Sequence, residues 1–417
     1  MEHLKNASDK SYVRDALGIM KVVLPGYEFS GNMLSEQLDL DSLQPDKVTE
    51  RETDDPDMKH ISSTEKGNLS LNFTPGMTIK GNANNYILEK ILGSGAFGLV
   101  ARCRIEGTMK YVALKIMAES DKREFLNEVQ ILESLNKSSR YNTCFIRLND
   151  SFVYRNFLCQ ELELLDENLL GFSEKRGATF KVAEIRAIAQ QMLEALSALK
   201  HLGVTHTDIK PDNVMLVNHK AQPFRVKLID FGLARKTGCL PQEGNLEVLA
   251  FRAPEITLGL PRDEAIDTWS LGCLLSFMFL NCIVFPRENK YDNLRMIVKL
   301  LGKVRERADP AYDDLTSLDD LFFSQNTSNS TENEDIHVFL DLVKRLLAVD
   351  PDKRILPADA LKHPFITMEH LKNASDKSYV RDALRIMKVV RPGNLSPDSE
   401  RETTKLPPTP KTYQVVY

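Results

Sequence analysis

Residues 86–117 run YILEKILGSGAFGLVARCRIEGTMKYVALKIM. Apolar residues alternate on either side of a glycine-rich turn, the pattern of antiparallel strands joined by hairpins. Leu92, Gly93, Ser94, Gly95, Gly98 and Val100 form the turn and its exit. Glycines at this spacing let the backbone lie close to a polyphosphate, with N–H groups aimed at its oxygens. The spacing alone is shared with dinucleotide-binding turns, but those open a helix, whereas here a strand follows. That strand carries Val112-Ala113-Leu114-Lys115. A lysine in an apolar strand is ordinarily a surface residue with a snorkelling stem. At this distance from Gly98, Lys115 can instead reach back to the α- and β-phosphates. It needs an anion to fix it, and Glu128 in EFLNEVQILESL is placed for that, on a helix that carries Phe125, Val129 and Leu132 on one face. The plainer reading of Glu128 is an exposed glutamate beside Glu124 and Glu133.

A second cluster reads His206-Thr207-Asp208-Ile209-Lys210-Pro211-Asp212-Asn213. Asp208 can accept a hydroxyl proton and orient the oxygen for in-line attack. Lys210 offsets charge on a transferring phosphoryl group, and Asn213 offers a neutral oxygen to Mg²⁺. Further on, VKLIDFGLA places Asp230 after an apolar run, where its carboxylate can bridge Mg²⁺ to phosphates. Phe231 and Gly232 allow the turn that follows. The ordered set of glycine loop, Lys115, Asp208, Asn213, Asp230 and Ala253-Pro254-Glu255 is far more specific than any member alone.

On these motifs residues 86–366 resemble a protein kinase catalytic domain. FRAPEITLGLPRDEAIDTWSLGCLLSFMFL and QPFRVKLIDFG are most similar to the homeodomain-interacting kinases of the CMGC group, with the dual-specificity Tyr-regulated kinases as relatives. The resemblance implies an α+β, two-lobe fold. A small antiparallel β-sheet lobe with one main helix is expected at about 86–163, and a larger, mostly helical lobe at about 166–366. It further implies that Leu162 is the gatekeeper and that Glu163 to Leu165 form the hinge meeting adenine. Val100, Ala113 and Met215 would sandwich the ring, Glu255 would pair with Arg354, and Asp267 would anchor the catalytic loop. The implied activity is transfer of the γ-phosphoryl group of Mg-ATP to protein Ser/Thr hydroxyls, with Asp208, Lys210, Lys115 and Glu128 as catalytic residues and Asn213 and Asp230 as metal ligands. Protein substrates, among them transcription regulators, would be the partners of a monomer in the nucleus or cytoplasm. The competing reading is a nucleotide-binding pseudokinase scaffold. Departures from the family lie in regulation: Thr207 stands where most kinases have arginine, Asn245 replaces a phosphorylated tyrosine, Val248 replaces a Ser or Thr, and Leu249-Ala250 replace an Arg-Tyr pair.

Composition agrees with this class. Of 417 residues, 42% are hydrophobic and 27% charged, the balance of a globular protein. A net charge of −5 argues against a dedicated nucleic-acid binder. No apolar run suffices to span a bilayer, and the polar start lacks a signal-peptide core. Six scattered cysteines without a C-x-x-C pair read as reduced thiols.

Outside the catalytic region, residues 1–80 read as a flexible acidic arm and 367–417 as an extension with a Pro/Ser/Thr-rich tail. The two share a repeat. Met1–Gly26 recurs at Met368–Gly393 with only two differences, Gly18 against Arg385 and Leu24 against Arg391. Val380, Leu384 and Met387 fall at helical spacing and predict the buried stripe of the second copy. The first copy carries Val13, Leu17 and Met20, but Gly18 interrupts it, at a cost of about 1 kcal/mol in a helix interior.

Overall fold

The alternating stretch forms strands because β-branched and aliphatic side chains at every second position share one buried face. The computed structural model describes residues 72–95, 98–137, 143–241, 247–302 and 317–390. In chain order its elements begin with β1 (Thr78–Lys80), β2 (Asn85–Gly95), β3 (Gly98–Ile105), β4 (Tyr111–Ala118), α1 (Lys122–Lys137), β5 (Leu148–Tyr154) and β6 (Phe157–Glu163). Then come α2 (Leu169–Arg176), α3 (Val182–Leu202), β7 (Val204–Thr205), β8 (Val214–Asn218), β9 (Gln222–Leu228) and β10 (Arg235–Lys236). The rest is helical: α4 (Pro254–Thr257), α5 (Ala265–Leu280), α6 (Lys290–Leu301), α7 (Leu318–Phe323), α8 (Ser330–Leu346), α9 (Pro357–Ala360), α10 (Pro364–Thr367) and α11 (Lys377–Val390).

Two compact units emerge. One, the sheet unit, takes its described residues from Glu50–Glu167, Met215–Ala234 and Lys388–Tyr417. Its six strands run antiparallel in the order β1-β2-β3-β4-β6-β5. Tyr86, Leu88, Leu99, Ala101, Cys103, Leu114 and Ile116 fill one face, while Phe125 and Val129 of α1 pack with Met117 and Leu158. The sheet begins before the expected boundary near residue 80. Phe73 is buried edge-on to Phe157, and Ile79 of β1 is buried too. Apolar Phe73, Met77 and Ile79 outweigh the polar residues around them, and burying a side chain such as Phe73 is worth about 1.5–3 kcal/mol.

A single cut near residues 163–166 was expected, but the chain returns. The β8–β9 hairpin and the Asp230 segment cluster with the sheet. Backbone hydrogen bonds tie them there: Asp166 to the Leu216 carbonyl at 2.9 Å, Leu216 to that of Glu167 at 2.8 Å, and Leu228 to that of Cys144 at 2.9 Å. Phe231 is fully buried, edge-on to Phe145.

The helical unit takes Asn168–Val214 and Arg235–Met387 from the described chain. Its α5 is apolar on every side and buried nearly along its length, as a central helix must be, with α3 and α8 packed against it. Gly203 closes α3 in the left-handed region at φ 64, which suits glycine. Two buried ion pairs fix the helices. Arg186 of α3 meets Asp335 of α8, and Arg354 grips both carboxylate oxygens of Glu255 at 2.7 and 3.0 Å, as the resemblance implied. Among the described residues no helix is long and apolar enough to cross a membrane.

The second repeat copy forms α11, though not with the expected stripe. Ala383, Met387 and Val390 are buried while Leu384 is 40% exposed. The helix is rotated by its polar anchor, the Tyr379 hydroxyl donating to Asp335 at 2.7 Å. The first copy, residues 1–26, and the tail from residue 391 lie outside the described residues.

One buried carboxyl of the helical unit lacks hydrogen-bond partners among the described residues. Glu247 is 4% exposed, and neither of its carboxylate oxygens has a hydrogen-bond partner among the described residues. Arg252 bonds instead to the Glu247 main-chain carbonyl. Burial, reinforced by the carboxylates of Asp267 and Glu255, pushes the Glu247 carboxyl well above the ordinary range. A raised folded-state value means that its contribution to stability is complete below the ordinary glutamate range and is lost as pH rises toward the folded value. Glu247→Gln should therefore stabilise the protein by about 1–3 kcal/mol at neutral pH. Melting curves should show the gain shrinking toward pH 4; an equal difference at both pH values would contradict the assignment.

Candidate active site

The register of the sheet places Lys115. On β4 it pairs with Val100 of β3, which pairs in turn with Gly93 of β2. The same ladder sets Ala113 opposite Leu162 of β6. Lys115 is buried, and its Nζ donates to both Glu128 oxygens at 3.0 and 2.8 Å and to Asp230 Oδ1 at 3.1 Å. Glu128 is 2% exposed, so the plainer reading of a surface glutamate does not hold. Two further donors complete its carboxylate, Gln160 Nε2 at 3.2 Å and the Phe231 amide at 3.2 Å. A buried pair is sustained only when its remaining hydrogen-bonding capacity is filled in this way. Burial alone would lower the Lys115 ammonium, but Asp230 and Glu128 outweigh it and hold Lys115 above its ordinary value. Lys115 is thus a fixed cation. Asp230 sits in the left-handed region at φ 59, which aspartate tolerates better than most residues, with its carboxylate a quarter exposed.

The glycine hairpin is shaped for an approaching ligand. Gly98 has φ 111, and a Cβ there would come within 2.2 Å of the Ile116 carbonyl oxygen, so only glycine fits. At Gly93 and Gly95, by contrast, a Cβ would meet nothing within 4 Å among the described residues. That side of the hairpin is open backbone with Lys115 two strands away, and this arrangement fits the phosphates of a nucleotide. Leu92 is half-exposed, whereas Ala113, Leu162 and Leu165 are buried. Ser94 pairs with Leu99 in the hairpin. Met215 lies on β8, next to the Leu216 that the Asp166 and Glu167 backbone holds. Glu163 is committed through its side chain to the Arg147 amide at 2.7 Å and to Lys227 at 2.5 Å. Every candidate adenine- and phosphate-contacting residue therefore belongs to the sheet unit.

The Asp208 cluster belongs to the helical unit, in the loop between β7 and β8. Asp208 is buried and bonded by Asn213 Nδ2 at 2.7 Å, with Lys210 Nζ at 3.0 Å from the same oxygen. Asn213 also donates to the Asp208 carbonyl at 2.8 Å. Thr207 is a β-branched residue at φ 67, a conformation that costs about 1–3 kcal/mol and persists only where neighbours enforce it. Asp267 at the start of α5 enforces it, its carboxylate accepting from the His206 amide at 2.7 Å and the Thr207 amide at 2.9 Å. Burial pushes the Asp267 carboxyl up, against the opposing pull of His206 and those two amides. Asp208 is thereby a carboxylate of fixed orientation, the requirement for a group that positions a hydroxyl.

Sequence reading missed Gln160, which completes the Glu128 carboxylate; a glutamine in β6 carries no motif. It also missed the burial of Glu247, a charged residue in a short irregular segment. The altered positions Val248, Leu249 and Ala250 form a single tight turn, with Val248 43% exposed. Asn245 lies outside the described residues.

Comparison with known proteins agrees with this geometry. The protein kinase domain family matches residues 86–366. Homeodomain-interacting protein kinase 2 of Mesocricetus auratus is 34% identical, over 74% of this chain and 30% of that protein. Homeodomain-interacting protein kinase 1 of Caenorhabditis elegans is 31% identical over 74% and 43%. Homeodomain-interacting protein kinase 4 of Homo sapiens is 30% identical over 72% and 58%. The chain thus spans about 30% of the length of the first of these relatives. With the family match covering the whole of the motif-bearing region, the chain belongs to the protein kinase domain family.

Proposed function

We propose that the protein is an ATP-dependent serine/threonine protein kinase. The observation that carries this reading is the completed Lys115–Glu128–Asp230 cluster beside an open glycine hairpin. A bound Mg-ATP supplies the phosphoryl group and the metal's neutralising charge. Lys115, held by Glu128, binds and orients the α- and β-phosphates. Leu92, Val100, Ala113, Leu162 and Met215 enclose the base, while the backbone of Glu163 to Leu165 meets its polar edge. Asp230 and Asn213 would hold Mg²⁺ through oxygen, the ligand type it prefers. Asp208 would accept the proton of the substrate hydroxyl as that oxygen attacks the γ-phosphorus in line, the bond to the β–γ bridging oxygen breaks and ADP leaves, while Lys210 would offset the charge on the phosphoryl group.

The similarity to homeodomain-interacting kinases supports nuclear transcription regulators as the substrate class. The alternative of a scaffold without transfer rests on the altered residues Val248, Leu249 and Ala250. Every candidate phosphate, metal and proton ligand is retained in the chain, which favours transfer.

Lys115→Arg and Asp230→Asn should each reduce single-turnover phosphotransfer by about two or more orders of magnitude with melting behaviour preserved. Transfer by Asp230→Asn at the parental rate would remove the assigned metal role.

Basal activity should not need phosphorylation of the segment after Asp230. Buried Thr207 cannot make the bidentate phosphate contact of an arginine. Between Lys236 and Leu249 the only hydroxyl residue is Thr237, whose Oγ1 lies 3.0 Å from Thr205 Oγ1. Phosphatase treatment should leave the rate nearly unchanged, and a large loss traced to Thr237 would contradict this.

A further inference from the structure

The seat of the second repeat copy is built around a buried carboxylate. Asp335 is fully buried and satisfied by three side chains: Arg186 from within the helical unit, and His370 Nε2 at 2.9 Å and Tyr379 Oη at 2.7 Å from the docked copy. Asn329 fixes the copy further by donating to Asp376 at 2.8 Å, and Ala383 and Met387 are buried against the unit. An empty seat would strip Asp335 of two of its three partners and expose the apolar stripe, so vacancy is strongly disfavoured.

The first copy carries every one of these groups. His3, Asp9, Tyr12, Ala16 and Met20 stand at the positions of His370, Asp376, Tyr379, Ala383 and Met387. Of the two differences, Arg385 points outward with its side chain 79% exposed and only a 3.8 Å ion pair to Asp382; the other, at Arg391, lies outside the described residues. The contacts of the seat therefore cannot tell the copies apart. What separates them is the helix handicap of Gly18, about fivefold, and the tether. Helix α11 follows α10 after a short connection, whereas the 46 residues from Tyr27 to Asn72 link the first copy to the catalytic region. Fully extended, those residues reach about 150 Å, well beyond the roughly 50 Å breadth of a domain of this size. The first copy can thus reach the seat within its own molecule.

We infer that the Asp335 seat is an exchange site with two interchangeable ligands in one chain. The C-terminal copy holds it at rest, and Met1–Val23 of the same molecule replaces that copy when it is displaced.

Met387→Asp in the full chain evicts the resident stripe. Amides of Ala16–Met20 should then exchange with solvent at least about tenfold more slowly than in the parent. Adding Met20→Asp should abolish that protection and lower the melting temperature further. Equal exchange in parent and single variant, with no further loss in the double variant, would overturn the proposal. A trapping measurement does not depend on eviction. Ser375 Oγ lies 3.3 Å from Thr331 Oγ1, and Ser8 is its counterpart. Mild oxidation of Ser8→Cys/Thr331→Cys should accumulate an intramolecular disulfide, mapped by peptide mass, because the pair meets the required approach only in the exchanged state. Ser30→Cys/Thr331→Cys, outside the repeat, should not. Cross-linking no greater than in this control would refute the exchange. A cross-link formed only between molecules, rising with protein concentration, would contradict the intramolecular assignment.

Discussion

The buried carboxylate of Glu128 is the constraint on which the sheet unit depends. Three donors converge on it in four hydrogen bonds: Lys115 to both oxygens, Gln160 and the Phe231 amide. They come from β4, β6 and the segment after β9, so one side chain on α1 couples the helix, the sheet and the Asp230 turn. Replacing water around a buried charge is costly unless every lone pair finds a partner, and here the partners include the lysine proposed to bind phosphate and the turn that carries Asp230. A shift of α1 would leave Lys115, Glu128 or both without their partners. The orientation of Lys115 and the placement of Asp230 are thereby one structural property.

The helical unit solves a parallel problem with a different carboxylate. Asp267 holds two consecutive amides of the loop that carries Asp208, which forces Thr207 into a conformation it would otherwise avoid. The loop in turn bonds to itself through Asn213 and Lys210. Positioning a reacting group within a fraction of an ångström is worth several kcal/mol of barrier, and strain at Thr207 is the local cost of that rigidity. Most kinases bear arginine at this position and so can couple the loop to a phosphate. Thr207 leaves the loop anchored from within.

Much of this was legible in the chain because kinase chemistry demands particular residue types at ordered positions. Lys115, Asp208, Asn213 and Asp230 can be named as candidates from motif alone. Burial was harder to foresee. Glu128 looks like any helix glutamate until β4 and β6 close over it, and Gln160 acquires its purpose only from that closure. The β8–β9 hairpin joins the sheet unit through backbone bonds that side-chain patterns do not encode. Apolar spacing alone does not give the rotation of α11, because the Tyr379–Asp335 bond turns Leu384 outward. Phe73 and β1 are hard to read from the chain because polar neighbours dilute their three apolar residues.

The measurement that bears most directly on the account is Mg-ATP binding and single-turnover transfer in Glu128→Gln, a change that removes the charge while keeping the shape. If Glu128 serves to hold Lys115 in register with the Asp230 turn, the variant should fold and bind nucleotide with little loss. Transfer should nevertheless fall about 100-fold or more. Transfer at the parental rate in a folded, nucleotide-bound variant would show that the Glu128 anchor does not govern catalysis.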